Sequence, residues 1–346
     1  MPDNPKTKFL TNDATTRKKW SKDLFARVKA TNDYSYLVGT GTDAHVQLRT
    51  DLGKGEGDVV KFDIRRALTG AGRVGRQEVE GNEEQLLFDN FEMTIEELNH
   101  AVDTGGKMEE QRVPYNLMVE ARDGLQEWWI EQISQVVINT LCGNSNFKIN
   151  GETFAQACTE PTTNNHLTVN DVAEASLTGA DVLDLTFLDR LKQRAENPTG
   201  GAFKLRPMKR NGKNYFRVLL HNYVFDQLRH NFDIGQWGDL VRAAGKLGMP
   251  EVEIEYNGML ISKTDRMYSP YTNVYRAVLM GAQAATFAWG GAGESKGTAM
   301  SFVPYYKDAN RYVMVRGGGI FGCKKVVFNG HDYGVITGSS YATAIG

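Results

Sequence analysis

Apolar and polar residues alternate along Val59-Val60-Lys61-Phe62-Asp63-Ile64-Arg65-Arg66-Ala67-Leu68, which is the period of a strand. A return arm follows at 86–98, with Phe88, Phe91, Met93 and Ile95 spaced along it. Between the arms, 69–85 carries Gly70, Gly72, Gly75 and Gly81 among Arg73, Arg76, Glu78, Glu80, Glu83 and Glu84. This tip has almost nothing to bury. A long polar hairpin without a core of its own is either disordered or laid against another molecule.

The period then changes. Leu117, Ala121, Leu125, Trp128, Trp129, Ile133, Val136, Val137 and Leu141 recur at three- and four-residue steps, which predicts one amphipathic helix over 114–141. Pro114 suits a first helical position, and Gly143 suits a stop. Such a helix is roughly 40 Å long, enough to cross a small domain. Leu117, Ala121, Leu125, Trp128, Ile133 and Val136 are its expected core positions. Of the adjacent Trp128 and Trp129, one is expected to face the core and the other a neighbouring element.

The remaining segments are arranged about this hairpin and helix. Residues 14–30 predict a short helix with Trp20, Leu24, Phe25 and Val28 on one face. A helix this short is marginal alone, so Trp20, Leu24 and Phe25 are expected to dock on their own domain or on a neighbour. Residues 144–170 are polar and rich in turns. A helix is expected over 180–197, ended by Pro198-Thr199-Gly200-Gly201. A strand at 215–221, a helix at 222–230, and strands at 251–256 and 259–262 joined by Asn257-Gly258 complete an α+β module over 181–270. The tail returns to strands at 299–306, 311–316, 325–328 and 333–337.

Composition narrows the class. The 346 residues are 41% hydrophobic and 24% charged, which suits a globular chain with two subdomains. A net charge of −2 argues against a dedicated nucleic-acid binder with a basic face, though not against weak contact with DNA. Three cysteines without a CxxC pair predict neither a disulfide framework nor a zinc site. The polar start carries no apolar signal region. The longest apolar run, 277–289, is interrupted by Gly281 and Gln283, so no membrane span is expected.

Chemical motifs are weak. Gly70-Ala71-Gly72-Arg73-Val74-Gly75 matches GxGxxG after a strand, but a dinucleotide site needs a helix opening at that point, and 76–85 has no apolar face. Gly290-Gly291-Ala292-Gly293-Glu294-Ser295-Lys296-Gly297-Thr298 has the composition of a phosphate loop with its lysine misplaced. The six histidines show no ligand spacing, and GxSxG is absent. No catalytic, cofactor-binding or metal-binding residue is therefore expected, and the chain is read as structural rather than as an enzyme.

The order of features resembles the major capsid proteins of tailed bacteriophages with the Hong Kong 97-type fold, in the branch typified by N-four-like phages. The residues carrying the likeness are Gly57-Asp58-Val59-Val60-Lys61-Phe62-Asp63, Leu68-Thr69-Gly70 and Val79-Glu80-Gly81-Asn82-Glu83-Glu84, then Arg112 and the Trp128 helix. Two later patches, Tyr275-Arg276-Ala277-Val278-Leu279-Met280-Gly281-Ala282-Gln283-Ala284 and Phe328-Asn329-Gly330 with Asp332-Tyr333-Gly334-Val335-Ile336, add to it. Over 144–270 the likeness is vaguer.

The resemblance implies an α+β fold with an N-terminal arm at 1–50 and an extended hairpin loop at 51–110. It implies a peripheral domain at 111–180 containing the spine helix, an axial domain at 181–270, and a return to both sheets at 271–346. It further implies self-assembly into hexamers and pentamers that close an icosahedral shell around double-stranded DNA in the host bacterial cytoplasm. The implied partners are scaffolding, portal and decoration proteins and weakly held DNA, with no membrane and no cofactor. No coiled-coil scaffolding segment precedes residue 50, so scaffolding is expected to be separate or removed. Arg73, Arg76, Glu78, Glu80, Glu83 and Glu84 are expected to make contacts between subunits, each exposed pair worth about 0–1 kcal/mol but repeated over the shell. Two alternatives stay open: a nucleotide-binding enzyme using 70–75, and a cellular encapsulating shell protein.

Overall fold

The computed structural model describes residues 36–49, 59–65, 70–86, 88–114, 116–210, 212–230, 253–291, 300–308 and 311–344. Trp20, Leu24 and Phe25 lie outside the described residues, as do 292–298 of the glycine-rich run.

Strand-forming sequence is divided between two sheets. The first runs in the order Val38–Gly39, Val46–Arg49, Ala285–Trp289, Tyr312–Lys325, Met300–Lys307, and Glu96–Gly106 also pairs with Tyr312–Lys325. Ala285–Trp289 and Met300–Lys307 take up successive stretches of Tyr312–Lys325, with Trp289 opposite Phe321 and Met300 opposite Gly319. The second sheet runs His166–Thr168, Val335–Tyr341, Val274–Met280, Lys213–His221, Met259–Thr264, Glu253–Tyr256, with Met208–Arg210 paired to Lys213–His221. At the expected turn, Asn257 and Gly258 both have positive φ (44° and 69°), the geometry of a tight two-residue hairpin loop.

The long helix spans Leu117–Cys142, not 114–141. Asn116, rather than Pro114, sets its start, because its side chain accepts a hydrogen bond from the Met118 amide at 3.0 Å. A separate helix, Lys107–Arg112, precedes it. Gly143 stops the long helix at φ 67°, as its position suggested. Ala121, Leu125, Trp129 and Ile133 are buried at strict four-residue steps. From Val136 onward the helix is buried on almost every side, through Val137, Ile138, Thr140, Leu141 and Cys142. A helix apolar all round belongs inside a core.

Two expected core positions differ. Leu117 is only half-buried. Trp128 is half-buried too, and stacks on His100 with ring centroids 4.4 Å apart, whereas Trp129 is the fully enclosed tryptophan. The reason is a vacancy in the sheet. A Cβ on Gly317 would lie 2.9 Å from Trp129 Nε1, so the bare glycine leaves room for that indole and no other.

The first core joins the long helix to the first sheet through Trp129, Phe287, Met300, Phe302 and Phe321. The second packs Leu185–Glu196 and Asn222–His230 on the second sheet, through Phe187, Leu191, Val218, Phe225 and Leu279. Asp184 starts the first of these helices by accepting from the Phe187 amide at 2.7 Å. A third, small cluster holds Phe91 and Met93 against Ala288 and Val326.

Candidate assembly surfaces

The hairpin is built by Val59–Arg65 against Phe88–Thr94, with Val59 opposite Thr94 and Arg65 opposite Phe88. The return arm does not continue to 98 as one strand. At Ile95 the chain crosses the first sheet, and Glu96–Gly106 pairs with Tyr312–Lys325 instead. Gly322 permits the crossing, since a Cβ there would stand 2.3 Å from the Thr94 carbonyl oxygen. Phe91 and Met93 are buried at the root, and Lys324 Nζ donates to the Glu92 carbonyl at 2.7 Å. Lys61 and Glu92 pair across the exposed face at 2.7 Å. The hairpin is thus fixed at its base.

Every residue of the tip from 70 to 86 is exposed. Several hydrogen bonds that shape it run between described residues within it. The Gly70 amide donates to Glu84 at 2.7 Å, Arg73 to Asn82 at 2.5 Å, and the Val74 amide to Gln77 at 3.1 Å. Of the six charges singled out from sequence, Arg73 and Glu84 therefore hold the tip in shape. Arg76, Glu78, Glu80 and Glu83 make no ion pair among the described residues. The sequence reading missed the valines. Val74 is 79% and Val79 63% exposed, although a valine in a polar run carries no periodic signal. The GxGxxG segment is followed by turns rather than a helix, so it lacks the helix N-terminus that a pyrophosphate requires.

The two sheets are joined by buried charge, which the sequence did not reveal. Arg276, on Val274–Met280, donates to both carboxylate oxygens of Glu174 at 2.8 Å. The same guanidinium donates to the carbonyls of Cys142 (3.2 Å) and Gly143 (3.0 Å), the end of the long helix. Ser339 donates to Glu174 at 2.5 Å, and His166 Nε2 lies 2.8 Å from the Ser339 hydroxyl. Burial alone would raise the Glu174 carboxyl, but hydrogen bonds from Arg276, His166 and Ser339 hold it well below the usual carboxylate range. Ser, His and Glu stand together here without forming a hydrolytic triad. In a triad the serine gives its proton to the histidine, whose other nitrogen is oriented by the acid. Here Ser339 gives its proton to Glu174, both of whose oxygens Arg276 already holds.

A second buried pair lies nearby. Lys325 and Asp332 meet at 2.8 Å with both side chains fully enclosed. Lys325 also donates to the Glu160 carbonyl at 3.1 Å, and Asp332 accepts from the Thr162 amide at 3.1 Å. The thiols are quiet: burial pushes Cys142 and Cys323 up to about 12.

His45 ties the connection between the sheets. Its Nδ1 donates to the Gly281 carbonyl at 2.8 Å, and its own carbonyl accepts from the Ala284 amide at 2.8 Å. Residues 281–284 lead from Val274–Met280 of one sheet to Ala285–Trp289 of the other. Burial, with the Arg217 charge adding to it and the Gly281 bond opposing, lowers the imidazole from its usual 6.5 to about 4. Between those values the unfolded chain takes up a proton that the folded chain refuses, so stability is lost as pH falls from 6.5 toward 4. His45→Gln is expected to flatten this slope, measured as the difference in urea midpoint between pH 7 and pH 5.

Among the described residues, no helix is long and apolar enough to cross a membrane, and no group of three or more His, Cys, Asp or Glu could hold a metal.

Comparison with known proteins gives this architecture a family. The family model for phage capsid protein matches residues 8–268, and so runs through the 144–268 region where the sequence likeness was vague. A major capsid protein of Pseudomonas phage KPP25 is 23% identical over 316 residues, covering 85% of this chain and 80% of the relative. The capsid of Ralstonia phage GP4 superposes with a TM-score of 0.78 at 23% identity, over 99% of this chain and 98% of that one. The Cyanophage Pam1 capsid asymmetric unit gives 0.69 at 16% identity, over 89% and 92%. The hairpin, the long helix and the two sheets are therefore the Hong Kong 97-type capsid fold, and this chain belongs to the phage capsid protein family.

Proposed function

We propose that this chain is the building block of a phage head. Copies form hexamers and pentamers, and these close an icosahedral shell around double-stranded DNA. The observation that carries this is the hairpin: anchored at its root, shaped by its own bonds, and exposed over all of 70–86. A monomer gains nothing from such an extension, whereas a lattice gains a contact from every copy.

In this reading 1–50 supplies an arm that reaches out through Trp20, Leu24 and Phe25 and whose last strand, Val46–Arg49, joins the first sheet, and 51–110 supplies the extended loop, whose final strand, Glu96–Gly106, lies in that same sheet. The first sheet with the long helix is the peripheral domain, 181–270 the greater part of the axial domain, and 271–346 returns to both. Arg76, Glu78, Glu80 and Glu83 meet charges on a neighbouring copy, and Arg73 and Glu84 keep the tip in the shape that neighbour receives. The role is structural, without catalysis. Scaffolding, portal and decoration proteins act as partners during assembly in the host cytoplasm. DNA is held weakly, as suits a chain of net charge −2. Negative-stain electron microscopy with size-exclusion chromatography of the purified chain tests this. Shells, tubes or capsomer rings are expected. A chain that stays monomeric even when co-expressed with its scaffolding partner would overturn the proposal.

A further inference from the structure

The chain has three cysteines, far apart in sequence at 142, 158 and 323. The fold gathers them around one side chain, Thr140, near the end of the long helix. The Thr140 hydroxyl lies 3.6 Å from Cys158 Sγ and is also within hydrogen-bonding reach of the Cys323 thiol. Cys142 stands two residues further along the helix, turned away by about 200°. Its sulfur meets Met267 Sδ at 4.0 Å instead. Thr140 therefore singles out Cys158 and Cys323 as the facing pair.

The backbone on both sides of Cys158 is fastened along Tyr312–Lys325, the strand that carries Cys323. Gln156 Nε2 donates to the Cys323 carbonyl at 3.2 Å, and Lys325 Nζ donates to the Glu160 carbonyl at 3.1 Å. A Cβ on Gly143 would stand 2.7 Å from the Thr159 carbonyl oxygen, so the end of the long helix closes on the same segment. Residues 156–160 thus form a strap across the strand, with Cys158 between its two fastenings. Cys323 is buried and Cys158 half-buried, so a small oxidant reaches Cys158 first.

We propose that Cys158 and Cys323 form a disulfide when the protein meets a hydroperoxide, and that this bond locks the strap onto the first sheet. The Cys158 thiolate attacks one peroxide oxygen, the O–O bond breaks, water leaves and a sulfenic acid remains. The Cys323 thiolate then attacks that sulfur. The S–S bond forms, the S–O bond breaks, and a second water carries off the remaining protons. Two thiols lose two electrons, and one peroxide is reduced to two waters. Burial keeps Cys158 less ionised than an ordinary thiol, so the reaction is slow, as suits a lasting lock rather than a sensor. The bond closes a loop from 158 to 323, which contains every strand of the second sheet except Val335–Tyr341. Closing a long loop restricts the unfolded chain most. In the shell reading, subunits made in a reducing cytoplasm are tightened once the head is outside; that use rests on the reading, the bond itself does not.

Peroxide treatment of the folded chain tests this, followed by alkylation of the remaining thiols in denaturant and peptide mapping without reductant. The main product should be a linked pair of peptides holding Cys158 and Cys323, with Cys142 alkylated. The urea midpoint should rise by about 0.5–1 M and return on reduction. Cys142→Ser should leave the yield of linked peptides unchanged. Cys158→Ser should abolish both the link and the rise, while matching reduced wild type in its own midpoint. A link between Cys142 and Cys158 would overturn the proposal. So would Cys158 carried on to sulfinic acid with Cys323 still free, or three free thiols at a peroxide concentration that links the unfolded chain. All of these are read on the isolated chain, so the result stands whether or not shells form.

Discussion

Arg276→Ala is expected to destabilise the chain by about 3–5 kcal/mol, the range for removing one partner of a buried ion pair. The side chain of Arg276 is 9% exposed and that of Glu174 14%, so solvent does little to screen the loss. Three connections fail together: the two-pronged bond to Glu174, and the bonds to the Cys142 and Gly143 carbonyls. The last two close the buried C-terminal end of the long helix, whose final carbonyls have no partner within the helix. The substitution therefore loosens the first core from the second sheet, in addition to weakening each. Arg276→Lys keeps the charge but cannot hold both carboxylate oxygens and two carbonyls at once, so most of the loss should remain. The pH profile separates this account from simple packing. Glu174 is held low in the folded chain, so its contribution is present above its ordinary value of 4.5 and is lost only as pH falls through the depressed folded value. Without Arg276, burial is opposed only by the bonds from His166 and Ser339, so the carboxyl sits higher than in wild type and acid unfolding should begin at higher pH. Urea unfolding of both proteins at pH 7 and pH 4 measures both effects.

Lys325→Met is expected to cost a similar amount, about 3–5 kcal/mol, because it leaves the fully enclosed Asp332 without its counter-charge. The double variant Lys325→Met/Asp332→Asn should recover more than half of that loss. Asparagine carries no charge to strand, and its amide oxygen can still accept from the Thr162 amide. The coupling energy from the two single variants and the double, read from chemical unfolding, measures the pair itself. Equal stability of the single and double variants would show that Asp332 was never the group in need of compensation. The consequence reaches beyond the pair. Lys325 ends the strand that carries Gly317 and Gly322, so its displacement shifts the seat of Trp129 and the crossing that aims the hairpin.

Shell formation and these stability effects draw on different parts of the chain. The cores and buried pairs keep the monomer rigid. The exposed hairpin tip lies outside those cores and, in the reading above, serves contacts between copies. A tip variant such as Glu80→Lys should fold and assemble poorly, whereas a variant of Arg276 should do poorly at both.

Local pattern alone determined the elements whose physics is local. The alternation at 59–65 and 88–94 made a hairpin, and the four-residue steps from Ala121 to Ile133 made a helix. Gly143 and Asn257-Gly258 made a stop and a turn, because backbone geometry depends on the residue that adopts it. The charged residues of the tip were legible for the same reason, since a polar run between two strands announces itself. Only the tertiary structure decided which tryptophan is enclosed, because that depends on a glycine 188 positions away in the chain. It also decided that Glu96–Gly106 leaves the hairpin for the first sheet, and that Arg276 finds Glu174. Periodicity reports whether a side chain turns inward, but not what it meets there. A buried arginine in a strand reads as an ordinary polar position until the carboxylate it pairs with, 102 residues away, is brought beside it.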